Sequence, residues 1–449
     1  MKYSAFNVIA YDGDDVLIYN SLSGALLAFE GHSAEIMRNS IQRNASRMIP
    51  EDYLSTLTEG GFLIGDDHDE YDQIRKLTQR RIGWQEAWHF SIMLNLACNF
   101  KCPYCFQRRQ ELFMSDLVAS RVLKMIDLVA KQTGKISVDW YGGEPTLSFR
   151  LLKRLNDQMA EICQRTNTEF VVSMTTNGYA LNDGILKYLS QFKMSHLQIT
   201  LDVPREYHDK TRILNNNGPT FDVILGNIKR AVDHGIHVLV RVNATTINLD
   251  ESFVIFEELE RAGLKNKVEV SIRPVISSEA NPCEQNCLNP VCFGKAMASH
   301  YYEAAKNGWV VLPFVDNLQS MSYCIANYPT HAIVDPLGNI FKCGEVFDER
   351  ENVGEIGEDG QLLWKKEQYD AFVMSDPLEN PECQTCEILP ICMGGCHMLR
   401  SWKGKVSCNE FKHNLDLFVK ILYLNQINLD SFYREGGQLY EGNSQTQNH

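Results

Sequence analysis

The sequence has no apolar run long enough to cross a bilayer, no apolar signal core in its opening MKYSAFNVIAYDGDDV, and no low-complexity tract. It also lacks a surplus of positive charge: 43 Lys and Arg against 57 Asp and Glu leave a formal net charge of −14. A membrane-spanning chain is therefore not expected. Neither nucleic acid nor an anionic membrane surface suits so acidic a protein, and a cytoplasmic location is the expectation. Cysteine, by contrast, is plentiful, with 14 in 449 residues. The cytoplasm keeps thiols reduced, so metal ligation is a better reading than a disulfide framework.

At this length two or three domains are expected. Residues 1–85 read as a small winged-helix-like unit. Strands at 6–11 and 16–19 flank a Gly13-Asp14-Asp15 turn; a strand at 25–29, helices at 33–43 and 50–57, and an apolar segment at 62–64 follow. From about residue 88 strands alternate with helices. The strands fall at 91–96, 137–141, 170–175, 197–201, 238–242 and 268–272, with helices such as 115–131, 151–164, 221–234 and 251–262 between them. This rhythm predicts an α/β domain over 86–290, its six strands parallel and curved into a partial (β/α)6, TIM-like barrel, with functional residues on the loops after strand C-termini. Residues 291–410 lose the alternation and read as an irregular, cysteine-rich domain with a helix at 293–306 and a hairpin turn at 335–339. Residues 411–449 read as a helix, at 411–429, and a disordered tail.

The first strand runs into Cys98-x3-Cys102-x2-Cys105. Three thiolates can hold three irons of a cubane [4Fe–4S] cluster and leave the fourth iron open, whereas electron-transfer ferredoxins supply four. A zinc knuckle with a distant fourth ligand is the alternative. Three further motifs close later strands: Gly142-Gly143-Glu144-Pro145, Thr176-Asn177-Gly178, and Thr200-Leu201-Asp202-Val203-Pro204, with Arg212 ten residues past Asp202. Taken alone, the Asn177-Gly178 pair reads equally as an ordinary turn.

In this order the motifs resemble those of radical S-adenosylmethionine (SAM) enzymes. The resemblance implies that SAM chelates the open iron and is cleaved to a 5'-deoxyadenosyl radical that abstracts hydrogen from a strong C–H bond. The cofactor carries that chemistry, and the protein positions it and excludes water. By the same resemblance Tyr104 lies against the adenine, and Gly142, Gly143 and Glu144 belong to the segment that receives the SAM ammonium. Asn177 belongs to the third-strand motif. Thr200 and Arg212 bind the SAM carboxylate, for which a planar guanidinium fork is suited. Val275 supplies an apolar contact on the adenine side. Val203 stands where the family usually has glycine.

A second cysteine field, Cys324-x13-Gly338-x4-Cys343 and Cys383-x2-Cys386-x5-Cys392-x3-Cys396-x11-Cys408, resembles the SPASM domain of some radical SAM enzymes. That resemblance implies two auxiliary [4Fe–4S] clusters, three clusters in all. Cys383, Cys386, Cys392 and Cys408 would bind the outer one, and Cys324, Cys343 and Cys396 the inner one. Two departures matter. No cysteine occupies 316–323, where the family's inner cluster takes a fourth ligand. That leaves either an open iron able to bind a peptide cysteine, or a ligand folded back from Cys283, Cys287 or Cys292, or a carboxylate or water. Sulfatase-maturing members place a catalytic aspartate right after the cysteine at Cys343, where this chain has Gly344 and then Glu345, the one nearby candidate base. Cys163 reads as a buried apolar residue on a helix.

The layout of residues 1–85 resembles the peptide-recognition domains of ribosomal-peptide (RiPP) maturases, which hold a precursor's leader as an added strand; a cap that only packs on the barrel is the bland alternative. The expectation is therefore a radical SAM oxidoreductase acting as a peptide maturase. It would take hydrogen from a residue of a precursor peptide to give a thioether or C–C crosslink, with a flavodoxin or ferredoxin as electron donor. An anaerobic protein-oxidising maturase of the sulfatase-maturase type, with Glu345 as base, is the alternative. A non-enzymatic iron–sulfur electron carrier is the alternative of another class, and it has no use for the Gly142–Pro145 segment or Arg212.

Overall fold

The computed structural model describes residues 1–84, 86–107, 109–275, 287–311, 323–344, 351–403 and 408–434, with side chains omitted at 401–403. The chain divides into two compact units. One comprises Met1–Gly83, Asn289–Cys324 and Ser375–Gln438; the other comprises Trp84–Leu288, Ile325–Met374 and Leu439–His449.

In the first unit β1 (Lys2–Tyr3) pairs with β5 (Leu63–Ile64), and β2 (Asn7–Asp12), β3 (Asp15–Asn20) and β4 (Leu26–Phe29) form an antiparallel sheet in that order. Gly13 takes φ 60° in the tight turn between β2 and β3, the left-handed region that glycine enters at no steric cost. Alternation along β3 sends Val16 and Ile18 into a core with Ala34 and Met37 of the Gly31–Gln42 helix and Leu57 of the Glu51–Glu59 helix. The Leu415–Arg434 helix packs on the same sheet. Phe418 meets Tyr19 edge-on at 5.8 Å, and Asp416 Oδ1 accepts from the Tyr11 backbone N–H at 3.3 Å. The Pro290–Lys306 helix lies alongside that helix and against the Glu410–His413 turn, where a Cβ on Gly294 would come within 2.4 Å of the Glu410 carbonyl oxygen.

The second unit holds the α/β domain. Strands β6 (Ala87–Met93), β7 (Lys135–Tyr141), β8 (Glu169–Thr176), β9 (Met194–Thr200), β10 (Val238–Ala244) and β11 (Glu269–Pro274) run parallel and neighbour one another in chain order. Helices Asp116–Ala130, Phe149–Thr166, Asp183–Leu189, Phe221–Asp233 and Val254–Arg261 return the chain between them. The expected six-stranded parallel arrangement is present, and the sheet continues past it. β12 (His331–Val334) joins the far side of β6 in parallel, and β13 (Asn339–Phe341), β14 (Gly354–Ile356) and β15 (Leu362–Trp364) extend it antiparallel to ten strands.

In β7 the alternate residues Ile136, Val138 and Trp140 are fully buried, and the Trp140 indole donates to Asn156 Oδ1 at 3.1 Å. β6 starts earlier than the apolar run at 91–96 suggests and stops at Met93. Leu94 and Leu96 bond instead to the returning 112–114 segment, through Met114 N to Leu94 O and Leu96 N to Leu112 O, both at 2.9 Å. Among the described residues no helix is long and apolar enough to cross a membrane.

Candidate functional site

The loop after β6 carries Cys98, Cys102 and Cys105, and backbone bonds stitch it to the segment after Arg212. Lys101 N donates to Ile213 O at 2.8 Å and Asn215 N to Asn99 O at 3.0 Å. Burial pushes the Cys98 thiol up to about 11 and the Cys102 thiol up to about 12, against the nearby Arg212 charge that favours the thiolate. Iron binding would hold such thiols deprotonated, since a coordinating metal removes the proton outright.

The end of β7 approaches this loop so closely that only glycine fits. A Cβ on Gly142, at φ 120°, would stand 2.4 Å from the Asn95 carbonyl oxygen, and one on Gly143 would stand 2.1 Å from that of Ala97. These glycines therefore seat the cysteine loop itself. Glu144 is fully buried. Its Oε1 accepts from Thr146 N at 3.0 Å, Thr146 Oγ1 at 2.6 Å and Thr176 Oγ1 at 2.7 Å; its Oε2 accepts from Asn177 N at 2.8 Å. The carboxylate thus ties the ends of β7 and β8 together, which is not evident from the motif alone. Asn177 Nδ2 in turn donates to Asn99 Oδ1 at 2.7 Å, inside the cysteine loop.

Around Tyr104 a buried polar network forms. Its hydroxyl donates to Asp202 Oδ2 and accepts from Arg212 at 3.2 Å, while Asp202 Oδ1 accepts from Asn243 N at 2.8 Å. Asn243, at the end of β10, belongs to no motif; the signal that could have found it is an asparagine ending the apolar run Val238–Val242. Arg212 is 6% exposed. Burial opposes its charge, but Tyr104, Cys102 and Asp202 favour it more strongly, so its pKa moves up and it stays a cation. Its Nε is buried with no hydrogen-bond partner. A cation with an unused buried donor near the Cys98 and Cys102 thiols fits a carboxylate-bearing ligand of a thiolate-held cluster. Thr200 ends β9 in register with Arg241, and Val275 is buried just past β11.

In the first unit Cys383, Cys386, Cys392 and Cys408 line one cavity, with Glu382, Leu389 and Lys412. Burial pushes the Cys392 thiol up to about 11. Among the described residues no three His, Cys, Asp or Glu side chains are grouped to share a single metal ion. Soft sulfur donors around a cavity suit a polynuclear cluster, in which each thiolate takes its own iron. Cys324 and Cys396 belong to this unit and Cys343 to the other. Cys163 is buried on the Phe149–Thr166 helix as expected. Cys292 is exposed in the first turn of the Pro290–Lys306 helix and Cys287 is partly exposed. Glu345 and Cys283 lie outside the described residues.

Residues 92–262 match the Radical SAM superfamily. The cysteine-type anaerobic sulfatase-maturating enzyme of Clostridium novyi is 22% identical over 346 residues, 70% of this chain and 90% of the relative. Among solved structures, native anSMEcpe with bound AdoMet and the Cp18Cys peptide aligns with a TM-score of 0.60 at 19% identity, covering 76% of this chain and 99% of its own. Streptococcus suis SuiB bound to its precursor peptide SuiA aligns with a TM-score of 0.52 at 14% identity, covering 90% of this chain and 97% of its own.

Proposed function

From the premise that this chain is an enzyme built on a radical SAM domain, we propose that it is a peptide maturase. It abstracts hydrogen from a residue of a ribosomally made precursor peptide through a 5'-deoxyadenosyl radical, and the product closes as a thioether or C–C crosslink. In this reading Cys98, Cys102 and Cys105 hold the SAM-binding cluster, Arg212 and Thr200 take the SAM carboxylate, and Tyr104 and Val275 flank the adenine. Cys383, Cys386, Cys392 and Cys408 hold an auxiliary cluster. A second one on Cys324, Cys343 and Cys396 rests on motif spacing alone. A flavodoxin or ferredoxin supplies the electron.

The observation that carries the reading is the small sheet of the first unit. It ends at β4, which pairs only with β3 among the described strands. Its other margin, β2, has the Asp416 carboxylate bonded to the Tyr11 N–H. An unpaired strand edge can accept an extended peptide by main-chain hydrogen bonds. The alignment with SuiB, a protein solved with its precursor peptide, extends over 90% of this chain and so over much of this unit. The similarity to the sulfatase-maturating enzyme favours a second reading, oxidation of a protein side chain with Glu345 as base.

The test is hydrogen exchange on the full chain with a candidate leader peptide, followed by anaerobic turnover with SAM and mass spectrometry of the peptide. Slowed exchange at the β4 amides and loss of hydrogen from the peptide are expected. The full chain is used because deleting residues 1–85 would strip the apolar partner from the Leu415–Arg434 helix. Turnover of a sulfatase-derived peptide without any protection of β4 would move the assignment to the second reading.

A further inference from the structure

The cavity lined by Cys383, Cys386, Cys392 and Cys408 carries polar groups that merely holding a cluster does not require. Asn409 N donates to Cys392 Sγ at 3.4 Å, and Lys412 Nζ donates to Cys408 Sγ at 3.6 Å. Both donors come from one short segment: Asn409 caps the Glu410–His413 turn by accepting from Phe411 N at 3.0 Å, and the turn swings Lys412 back over the thiols. Lys412 is partly buried and lines the cavity itself. A second cation, Arg400, is held on Ser375 Oγ at 3.1 Å, and its charge acts on the Cys383 thiol. Glu382, the acidic residue of the lining, is exposed, so water and salt screen it more than they screen Lys412.

Reducing an iron–sulfur cluster by one electron adds one negative charge, spread over iron and sulfur. Hydrogen bonds to the sulfurs and nearby cations favour that more negative form. We propose that Lys412 is a redox-positioning residue: its ammonium, bonded to Cys408, raises the reduction potential of the cluster held by these four cysteines and makes that cluster an electron acceptor. The step is the uptake of one electron, supplied by the flavodoxin- or ferredoxin-class donor or by the substrate radical, with no proton taken up. The proposal rests on reading these cysteines as cluster ligands, as set out above.

The experiment is a potentiometric titration followed by electron paramagnetic resonance, on the reconstituted full chain in a Cys98→Ala, Cys102→Ala, Cys105→Ala background that removes the SAM-binding cluster. The signal that disappears in a further Cys383→Ala variant is the one followed. In Lys412→Met the ratio of reduced to oxidised cluster at a fixed potential should fall about tenfold, a midpoint lower by about 59 mV for a one-electron couple. Lys412→Arg should keep the parental midpoint. An unchanged midpoint in Lys412→Met, with parental iron and sulfide, overturns the proposal. Should that variant fail to assemble the cluster, Lys412→Gln removes the charge while retaining an N–H donor, and the same two outcomes decide. If Cys383→Ala abolishes no signal and loses no iron, the cluster assignment itself is wrong, and the proposal falls with it.

Discussion

Replacing Arg212 with lysine separates charge from geometry at the site proposed for the SAM carboxylate. Arg212 is 6% exposed, one terminal nitrogen donates to the Tyr104 hydroxyl at 3.2 Å, and Nε has no partner. The guanidinium can therefore keep its tie to Tyr104 while its remaining donors meet a carboxylate. Lysine keeps the charge but is a single point on a flexible stem and cannot serve both partners with the same fork. Losing one charge-assisted hydrogen bond costs about 1.5–3 kcal/mol. At about 1.4 kcal/mol per factor of ten, SAM binding should weaken roughly ten- to a hundredfold. Iron content should stay parental, because the bonds tying the cysteine loop to 213–215 are main-chain ones, Lys101 N to Ile213 O and Asn215 N to Asn99 O. The assay is anaerobic equilibrium binding of SAM, with the cluster's paramagnetic resonance recorded with and without SAM. A dissociation constant within about twofold of the parent, with iron retained, would refute the reasoning and place the carboxylate elsewhere.

Further outcomes are expected. The Cys98→Ala, Cys102→Ala, Cys105→Ala protein should keep iron and sulfide yet form no 5'-deoxyadenosine with dithionite; continued SAM cleavage would end that assignment. Gly143→Ala places a Cβ against the Ala97 carbonyl oxygen, at 2.1 Å before any adjustment, so the cysteine loop must shift. Overpacking of this kind costs about 1–3 kcal/mol, and SAM-site iron should fall while the auxiliary iron stays; full loading would show that the loop tolerates the methyl group. Burial raises Asp139 from 3.8 to about 7, despite a bond from Ser173 Oγ at 3.0 Å that favours the carboxylate. Its folded form thus holds a proton that the unfolded chain has lost, so its contribution to stability is full below about 3.8 and declines as pH rises to about 7. Asp139→Asn should therefore melt at a temperature closer to the parent's at pH 5 than at pH 8, with the variant the more stable at pH 8; parallel pH profiles would contradict this.

The sequence by itself determined the elements and the positions of the motifs. Apolar residues at every second place in 136–140 mark a strand with one apolar face, and the three cysteines and the double glycine fall on loops at strand ends, with Arg212 ten residues past Asp202. Such signals are local: periodicity records that a face is buried, and spacing records which donors can converge within one loop. Only the tertiary structure decided what each face is buried against. That the Leu415–Arg434 helix covers the β2–β3–β4 sheet, and that β12 pairs with β6, has no local signature, because both unions join segments far apart in the chain. The same holds for roles inside the site. Glu144 belongs to the segment expected to receive the SAM ammonium, and packing adds that its carboxylate accepts from Thr146, Thr176 and Asn177, while the double glycine makes room for a carbonyl of the cysteine loop. Asn243, outside every motif, donates its backbone N–H to Asp202, which also accepts the hydrogen bond of the Tyr104 hydroxyl. A buried polar group must find its partners wherever the fold brings them, and that is settled by packing rather than by chain order.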